Sequence, residues 1–244
     1  ICIPAYNIEK YIDNCVLSMA KSKILDKIEI IIVNDGSSDG TLCNALELKE
    51  RYPKSIIIID KENGGHGSTI NNAIRNASGK YFKNVDGDDW VDTKAFEEYV
   101  CKLCELDVDV VFTDFTSVYV NSNKLILESM EERHKFPKNK IFDINLLLSS
   151  NNVPAMHSLT YKTKLLQTNN ISLNEHCFYV DVQYYTFPMA FVNSAYYLPL
   201  NVYQYRLERE GQSVSIEGII KNFNDHLLVL QSIIDEYKSA KTNL

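Results

Sequence analysis

Basic clusters, long apolar runs and paired cysteines are all scarce in this chain, and each shortage removes a class of function. No basic tail or Arg-rich stripe offsets the formal net charge of −7, so the electrostatic footprint of a protein that grips a phosphate backbone is missing and nucleic acid is not an expected partner. No apolar stretch approaches the ~20 residues of a membrane-spanning helix, and no signal peptide opens the chain. Ile1 lies inside an apparent strand and is not a methionine, as expected of a piece trimmed from a longer product whose other segments, membrane spans included, stay open. Of the six cysteines, Cys2, Cys15, Cys43, Cys101, Cys104 and Cys177, only Cys101 and Cys104 form a C-x-x-C, and no second pair follows to complete a zinc site. Most sit in apolar periodic stretches, where free thiols pack as small hydrophobes. Core packing in a reducing compartment is therefore expected, for Cys101 and Cys104 as well.

What remains is the composition of a folded globular protein, with 45% hydrophobic and 23% charged residues over 244 positions. Short β-rich runs at Ile1 to Pro4, Ile28 to Asn34, Ser55 to Asp60 and Tyr81 to Val85 alternate with helical periodicity. The first helix, with Asn7 as its expected N-cap, carries Tyr11, Ile12, Cys15, Val16 and Met19 on one face. The third carries Ile70, Ala73, Ile74 and Ala77 and is expected to stop at Gly79. A fourth, with Phe96, Tyr99, Val100 and Leu103 inward, leads to a strand at Val108 to Asp114. Ile28 to Val33 and Ile56 to Ile59 are nearly unbroken apolar runs, which predicts strands covered on both faces in a parallel sheet. After about residue 115 the alternation gives way to an irregular, aromatic region and a long final helix with Ile220, Phe223, Leu227, Leu230, Ile234 and Tyr237 on one stripe. One composite domain is expected, residues 1–115 forming its ordered part and 116–244 an elaboration packed on it.

Ligands of open α/β sheets bind beyond the carboxyl ends of the strands. Here those ends read Pro4-Ala5-Tyr6-Asn7, Asn34-Asp35-Gly36-Ser37-Ser38-Asp39-Gly40-Thr41 and Asp86-Gly87-Asp88-Asp89-Trp90. Three acids within four residues after a strand repel one another unless a cation lies among them. Mg²⁺ or Mn²⁺ meets that need and completes its shell with phosphate oxygens. Alone, an acidic turn capping the helix that begins near Thr93 would explain Asp86, Asp88 and Asp89 better; the company of the other two strand ends reverses that preference. Asp35 can accept hydrogen bonds from a base or ribose, and Tyr6 offers a ring for a base to stack on. Asn63-Gly64-Gly65-His66-Gly67-Ser68 precedes the third helix and can bring backbone amides near an anion, although it fits neither the Walker pattern nor G-x-G-x-x-G. His66 approaches a phosphate on that reading, and is an incidental loop histidine on the alternative.

These segments, I-P-A-Y-N, V-N-D-G-S-S-D-G-T, N-G-G-H-G-S-T-I-N-N-A-I-R-N-A-S-G-K-Y and D-G-D-D, resemble in order and spacing the family 2 glycosyltransferases of the GT-A fold over about residues 1–115. The resemblance implies an α/β, Rossmann-like, mostly parallel sheet flanked by helices, with an irregular α+β acceptor-side half. It implies an inverting enzyme using a nucleoside-diphosphate sugar, with a lean to UDP, and acting in glycan or cell-surface polysaccharide synthesis. Pro4, Tyr6 and Asp35 would line the nucleobase, Asp86 the ribose, and Asp88 the Mn²⁺ or Mg²⁺ on the diphosphate, with Asp89 and Asp86 sharing that role. His66 and Arg206 would approach the nucleotide. The family's Glu-Asp pair, whose Asp is the catalytic base, falls on Phe178-Tyr179-Val180-Asp181-Val182. That makes Asp181 the expected base and Glu175 its reserve, Val180 standing where the acidic first member would be. Tyr205-Arg206 and Gln212-Ser213-Val214-Ser215 resemble the family's closing segment; an ordinary surface ion pair is the plainer role for Arg206.

On this reading the metal neutralises the departing diphosphate while a carboxylate takes the proton of an acceptor hydroxyl attacking from the opposite face. The partners are a nucleotide-sugar donor and a glycan or lipid-linked acceptor. A cytoplasmic location is expected, and both peripheral association with the inner face of a membrane and homo-oligomerisation through the final helix are compatible with the sequence. Two rival classes stay open: a catalytically silent sugar-nucleotide-binding module, favoured by Val180, and a nucleotidyltransferase, disfavoured because Ala5 to Lys10 is not a Gly- and Lys/Arg-rich loop.

Overall fold

The computed structural model describes residues 1–148, 153–208 and 216–242. In chain order the elements are β1 (Cys2–Ala5), α1 (Ile12–Ala20), β2 (Ile30–Asp35), α2 (Thr41–Arg51), β3 (Ile56–Lys61), α3 (Gly65–Asn76), β4 (Tyr81–Phe82), β5 (Trp90–Val91), α4 (Thr93–Glu105) and β6 (Val110–Tyr119). There follow β7 (Lys124–Glu128), α5 (Met130–His134), β8 (Ile141–Asp143), α6 (Asn145–Leu148), β9 (Leu159–Lys162), α7 (Thr163–Thr168), α8 (Asp181–Met189), β10 (Ser194–Leu207), α9 (Ile216–Lys221) and α10 (Phe223–Thr242).

Two sheets form the frame. β1, β2 and β3 are parallel neighbours in that order, with Cys2 opposite Ile31 and Ile30 opposite Ile56. The second sheet runs β4-β9-β6-β10-β5, with β7 added on β6 and β8 on β10. Its β10–β6 pair is parallel and its other pairs are antiparallel, so the parallel character expected of the sheet is complete only in the first half. Cys2 joins the sheets, its N–H donating to Lys83 O and its carbonyl accepting from Val85 N, each at 2.9 Å. The expected strand through Val85 is thus a two-residue β4 followed by an isolated bridge between Cys2 and Asn84.

The inward faces of α1 and α4 match the sequence periodicity: Ile12, Cys15, Val16, Met19, Phe96, Tyr99, Val100 and Leu103 are all buried. Asp92 caps α4 by accepting from Ala95 N at 2.9 Å.

Several expectations are corrected. Asn7 does not cap α1, whose N-cap is Tyr11. Asn7 has φ 51° instead and accepts from Ser38 N at 2.8 Å, tying the loop after β1 to the loop after β2. α3 stops at Asn76 rather than Gly79, because the carbonyls of Ile74 and Ala77 are taken by Gln167 Nε2 and Ser78 is drawn to Glu29. β3 is not covered on both faces: it is an edge strand with Ile57 exposed. Cys2, Cys15 and Cys177 are buried, but Cys43, Cys101 and Cys104 are exposed free thiols, so core packing does not hold for the C-x-x-C. The strand of Val108 to Asp114 is longer than expected: β6 runs on to Tyr119 and turns back as β7 in an antiparallel hairpin.

The expected single final helix is two. It is broken between α9 and α10, and Ile220, Phe223, Leu227, Leu230, Ile234 and Tyr237 are exposed while Val229 is buried. α10 meets α8 through Gln183 Nε2, which donates to Ser232 Oγ at 2.5 Å. Among the described residues no helix is long and apolar enough to cross a membrane.

Candidate active site

The parallel order of β1, β2 and β3 sends Tyr6, Asp35 and the loop before α3 to one edge, and the Cys2–Asn84 bridge brings Asp86 to Asp89 beside them. Asp35 is buried, and its carboxylate accepts from Gly64 N at 2.9 Å, Gly65 N at 2.8 Å and Lys61 Nζ at 2.5 Å. Gly65 adopts φ +82°, which presents its amide to that carboxylate. Tyr6, just past the end of β1, is 53% exposed, and Pro4 within β1 is buried.

His66 Nε2 lies 3.0 Å from Asp86 Oδ1, which also accepts from Asn84 Nδ2 at 2.7 Å. Burial opposes ionisation of Asp86, but the charge and hydrogen bond of His66 outweigh it and hold the carboxyl at about 2. Burial likewise opposes protonation of His66, and Asp86 outweighs it, raising the imidazole above its ordinary value.

Asp89 is buried, accepting from Tyr203 Oη at 2.5 Å and Arg206 N at 2.7 Å. Burial, reinforced by the charges of Asp88 and Asp86, holds its carboxyl well above the usual range. Gly87 has no room for a side chain, since a Cβ there would stand 2.7 Å from Pro4 O. Arg206 is not a simple surface ion pair. Its Nε donates to Asp88 O at 2.8 Å, and its guanidinium lies over Trp90 at 4.6 Å and Tyr11 at 5.1 Å.

Asp181 opens α8 and is exposed, although the protein around it still strips away water and raises its carboxyl above the ordinary value; His66 pulls the other way and Asp86 adds to the rise. Asp181, His66 and Asp86, from distant parts of the sequence, therefore feel one another's charge. Glu175 accepts from Asn71 Nδ2 at 3.2 Å. Val180 is fully buried. Gln212 to Ser215 lie outside the described residues.

Tyr203 escaped the sequence reading, and so did a histidine. His157, in the turn Met156–Ser158 ahead of β9, can place a ring nitrogen within 4.8 Å of carboxylate oxygens of Asp86 and Asp89. Its ring packs on Tyr205 at 4.1 Å and Tyr203 at 4.7 Å, and Nδ1 is buried with no hydrogen-bond partner. Burial lowers its imidazole to about 4, leaving it neutral near neutral pH. Behind it the buried Lys83 Nζ donates to His157 O at 2.7 Å. Nothing in the local sequence marks His157; only the folding of β9 against β6 brings it here.

A carboxylate cluster beside a neutral imidazole suits a divalent cation. Chemically, the edge offers an exposed aromatic ring, a carboxylate cluster and a carboxyl with raised proton affinity.

The model of the family described as Glycosyl transferase family 2 matches residues 1–166. EpsH of Bacillus subtilis (strain 168), a putative glycosyltransferase, is 25% identical over 213 residues, 85% of this chain and 60% of that protein. TarS of Staphylococcus aureus (strain Mu50), a poly(ribitol-phosphate) beta-N-acetylglucosaminyltransferase, is 26% identical over 88% of this chain and 36% of its own length. The structure of TarS 1–349 with UDP-GlcNAc superposes with TM-score 0.71 at 23% identity, over 96% of this chain and 64% of that one. A mannosyltransferase from Pyrobaculum calidifontis, solved with GDP-Man and Mn²⁺, gives TM-score 0.63 at 18% identity, over 92% of this chain and 61% of that one. At these identities the superpositions establish the shared fold. The chain spans less than two thirds of the length of these relatives.

Proposed function

The chain belongs to glycosyl transferase family 2, with the fold of its solved relatives, and from that premise we propose that it transfers a sugar from a nucleoside diphosphate, UDP by preference, to an acceptor hydroxyl with inversion. The observation that carries this reading is the contact of His66 with Asp86 at the strand edge, within reach of whose charges Asp181 opens α8 with its proton affinity raised by burial. We assign residues 1–115 to the donor, joined there by His157 and Arg206, and the rest of 116–244 to the acceptor. The names of TarS and of the Bacillus subtilis minor teichoic acid biosynthesis protein GgaB support a role in cell-surface polysaccharide synthesis. Free thiols at all six cysteines suit a reducing, cytoplasmic setting.

On this reading Tyr6 stacks on the base above Pro4. Asp35 Oδ2, which accepts one hydrogen bond from Gly65 N, keeps a lone pair for a base N–H. Asp86 accepts from the ribose. Asp86, Asp89 and His157, whose ligand atoms lie within 4.8 Å of one another, would hold Mn²⁺ or Mg²⁺, the ionised Asp86 supplying charge and a ring nitrogen of His157 a lone pair, with Asp88 added as the ligand the family resemblance implies. When bound, the metal neutralises charge on the departing diphosphate. Arg206, immobilised between two aromatic rings, adds positive charge on the same side. Asp181 accepts the acceptor hydroxyl proton as the oxygen attacks the anomeric carbon. Its raised proton affinity suits that task better than an ordinary surface carboxylate would.

A silent sugar-nucleotide-binding module remains the second reading, because buried Val180 leaves Asp181 without an acidic neighbour in sequence. Asp181→Asn separates the two. With UDP-sugars and a glycan acceptor panel, the variant should bind UDP as the wild type does while transfer falls by ~10²- to 10⁴-fold. Equal transfer by both proteins refutes the assignment, with Glu175→Gln next to be measured. No transfer by the wild type to any acceptor favours the silent module.

A further inference from the structure

The segment ahead of Asp181 is held in an unusual backbone from two sides. His176 and Tyr179 have φ of 52° and 62°, values that residues with a Cβ adopt only when their surroundings over-determine them. On the donor side, His176 N donates to Gly64 O at 2.6 Å, and the Asn71 side chain pairs with both the N–H and the carbonyl of Leu173. On the C-terminal side, Phe178 N donates to Asp225 Oδ2 at 3.0 Å, and the Tyr179 ring stacks on His226 at 3.6 Å and 13°. The Tyr179 hydroxyl also donates to Gly218 O at 3.3 Å.

The consequence of this clamp is a choice between two adjacent aromatics. Tyr179 is covered by α10, and Phe178 is left 49% exposed, three positions before Asp181. Val182, the residue after Asp181, is 39% exposed. The exposed phenyl, tilted against the Tyr179 ring at 6.2 Å, lies close in sequence to the Asp181 carboxyl, and that pairing of an apolar surface with a carboxyl suits a partner that is apolar on one face and bears hydroxyls at its rim. A pyranose ring has that character, its C–H face meeting the negative face of an aromatic ring. The carboxylates of Asp181 and Asp86 favour a neutral ring over an anionic one.

We propose that Phe178 is the platform on which the acceptor's pyranose ring stacks beside Asp181, and that Asp225 and His226 are positioning residues that hold it there. The proposal rests on Asp181 as the base, and its test is kept separate from that reading. Methyl pyranosides of the common hexoses and N-acetylhexosamines are titrated by saturation-transfer NMR, with and without UDP and Mn²⁺, and UDP with Mn²⁺ is titrated alone by calorimetry. At least one pyranoside binds the wild type, and Phe178→Ala weakens it tenfold or more while Phe178→Trp retains it. Because Phe178 is exposed, its truncation leaves the core intact. His226→Ala weakens the same pyranoside and His226→Phe, which keeps a ring against Tyr179, restores it; Asp225→Asn holds more affinity than Asp225→Ala. Absence of any pyranoside binding to the wild type, unchanged binding in Phe178→Ala, or identical behaviour of His226→Phe and His226→Ala overturns the proposal. Failure of UDP to bind counts against the donor site alone, and wild-type transfer by Asp181→Asn counts against the base alone.

Discussion

Replacing Tyr203 by Phe removes one oxygen and keeps the ring, so its cost can be worked from the contacts of that oxygen. The side chain is fully buried. Its hydroxyl donates to Asp89 Oδ2 at 2.5 Å and accepts from Asp86 N at 3.1 Å, pinning β10 to the acidic turn. Tyr203→Phe leaves one buried carboxyl oxygen and one amide N–H without this partner, and each such loss costs ~1–3 kcal/mol. The two groups share one turn and relax together, so the losses are less than additive and about 2–4 kcal/mol is expected. That is a large fraction of a typical domain stability of ~5–15 kcal/mol. Urea unfolding should show a lower midpoint with an unchanged slope, as for a pure stability loss. The ring packing against His157, at 4.7 Å, is preserved, so a deficit cannot be ascribed to a cavity. UDP affinity in Mn²⁺ should fall too, because Asp89 loses one of its two anchors. Stability within ~0.5 kcal/mol of wild type would refute the reasoning, showing that the hydroxyl does not hold the acidic turn.

Two further outcomes can be measured. Burial lowers the Lys83 ammonium to about 7, whereas in an unfolded chain it titrates at about 10.4; between those values the unfolded state binds more protons, so this lysine makes the wild type more stable as pH rises from about 7 to about 10. Melting curves of Lys83→Met should lack that climb while other groups titrate alike in both proteins, and parallel curves would show that Lys83 is not held as a buried amine. UDP binding followed by calorimetry should require Mn²⁺ or Mg²⁺ and weaken in both Asp88→Ala and His157→Ala; equal affinity in EDTA and in Mn²⁺ would remove the metal from the proposed site.

The donor half was legible because its signals are local. The unbroken run Ile30 to Val33 is a strand buried on both faces, and in a parallel sheet each following loop emerges at the same edge, so Tyr6 and Asp35 could be placed together from order alone. Helix faces were legible for α1 and α4 for the same reason, their buried stripes recurring every three to four residues. Where a residue's fate depends on a distant neighbour, the sequence was silent or misleading. Ile57 has the composition of a core strand, yet no strand arrived on its outer side. Cys101 and Cys104 share a helix whose other face took the core. The apolar stripe on α9 and α10 faces outward because the inward contacts were made by Val229 and by the polar pairs of Ser232, Asp225 and His226.

His157, Tyr203 and Arg206 reach the acidic turn through β9 and β10, strands whose partners lie far away in the chain. The sequence alone therefore determined which groups stand at the edge of the parallel sheet, since βαβ geometry converts order into position. Only the tertiary structure decided what faces them, because pairing between strands separated by some 85 residues is selected by global packing and leaves no periodic trace in the segments that take part.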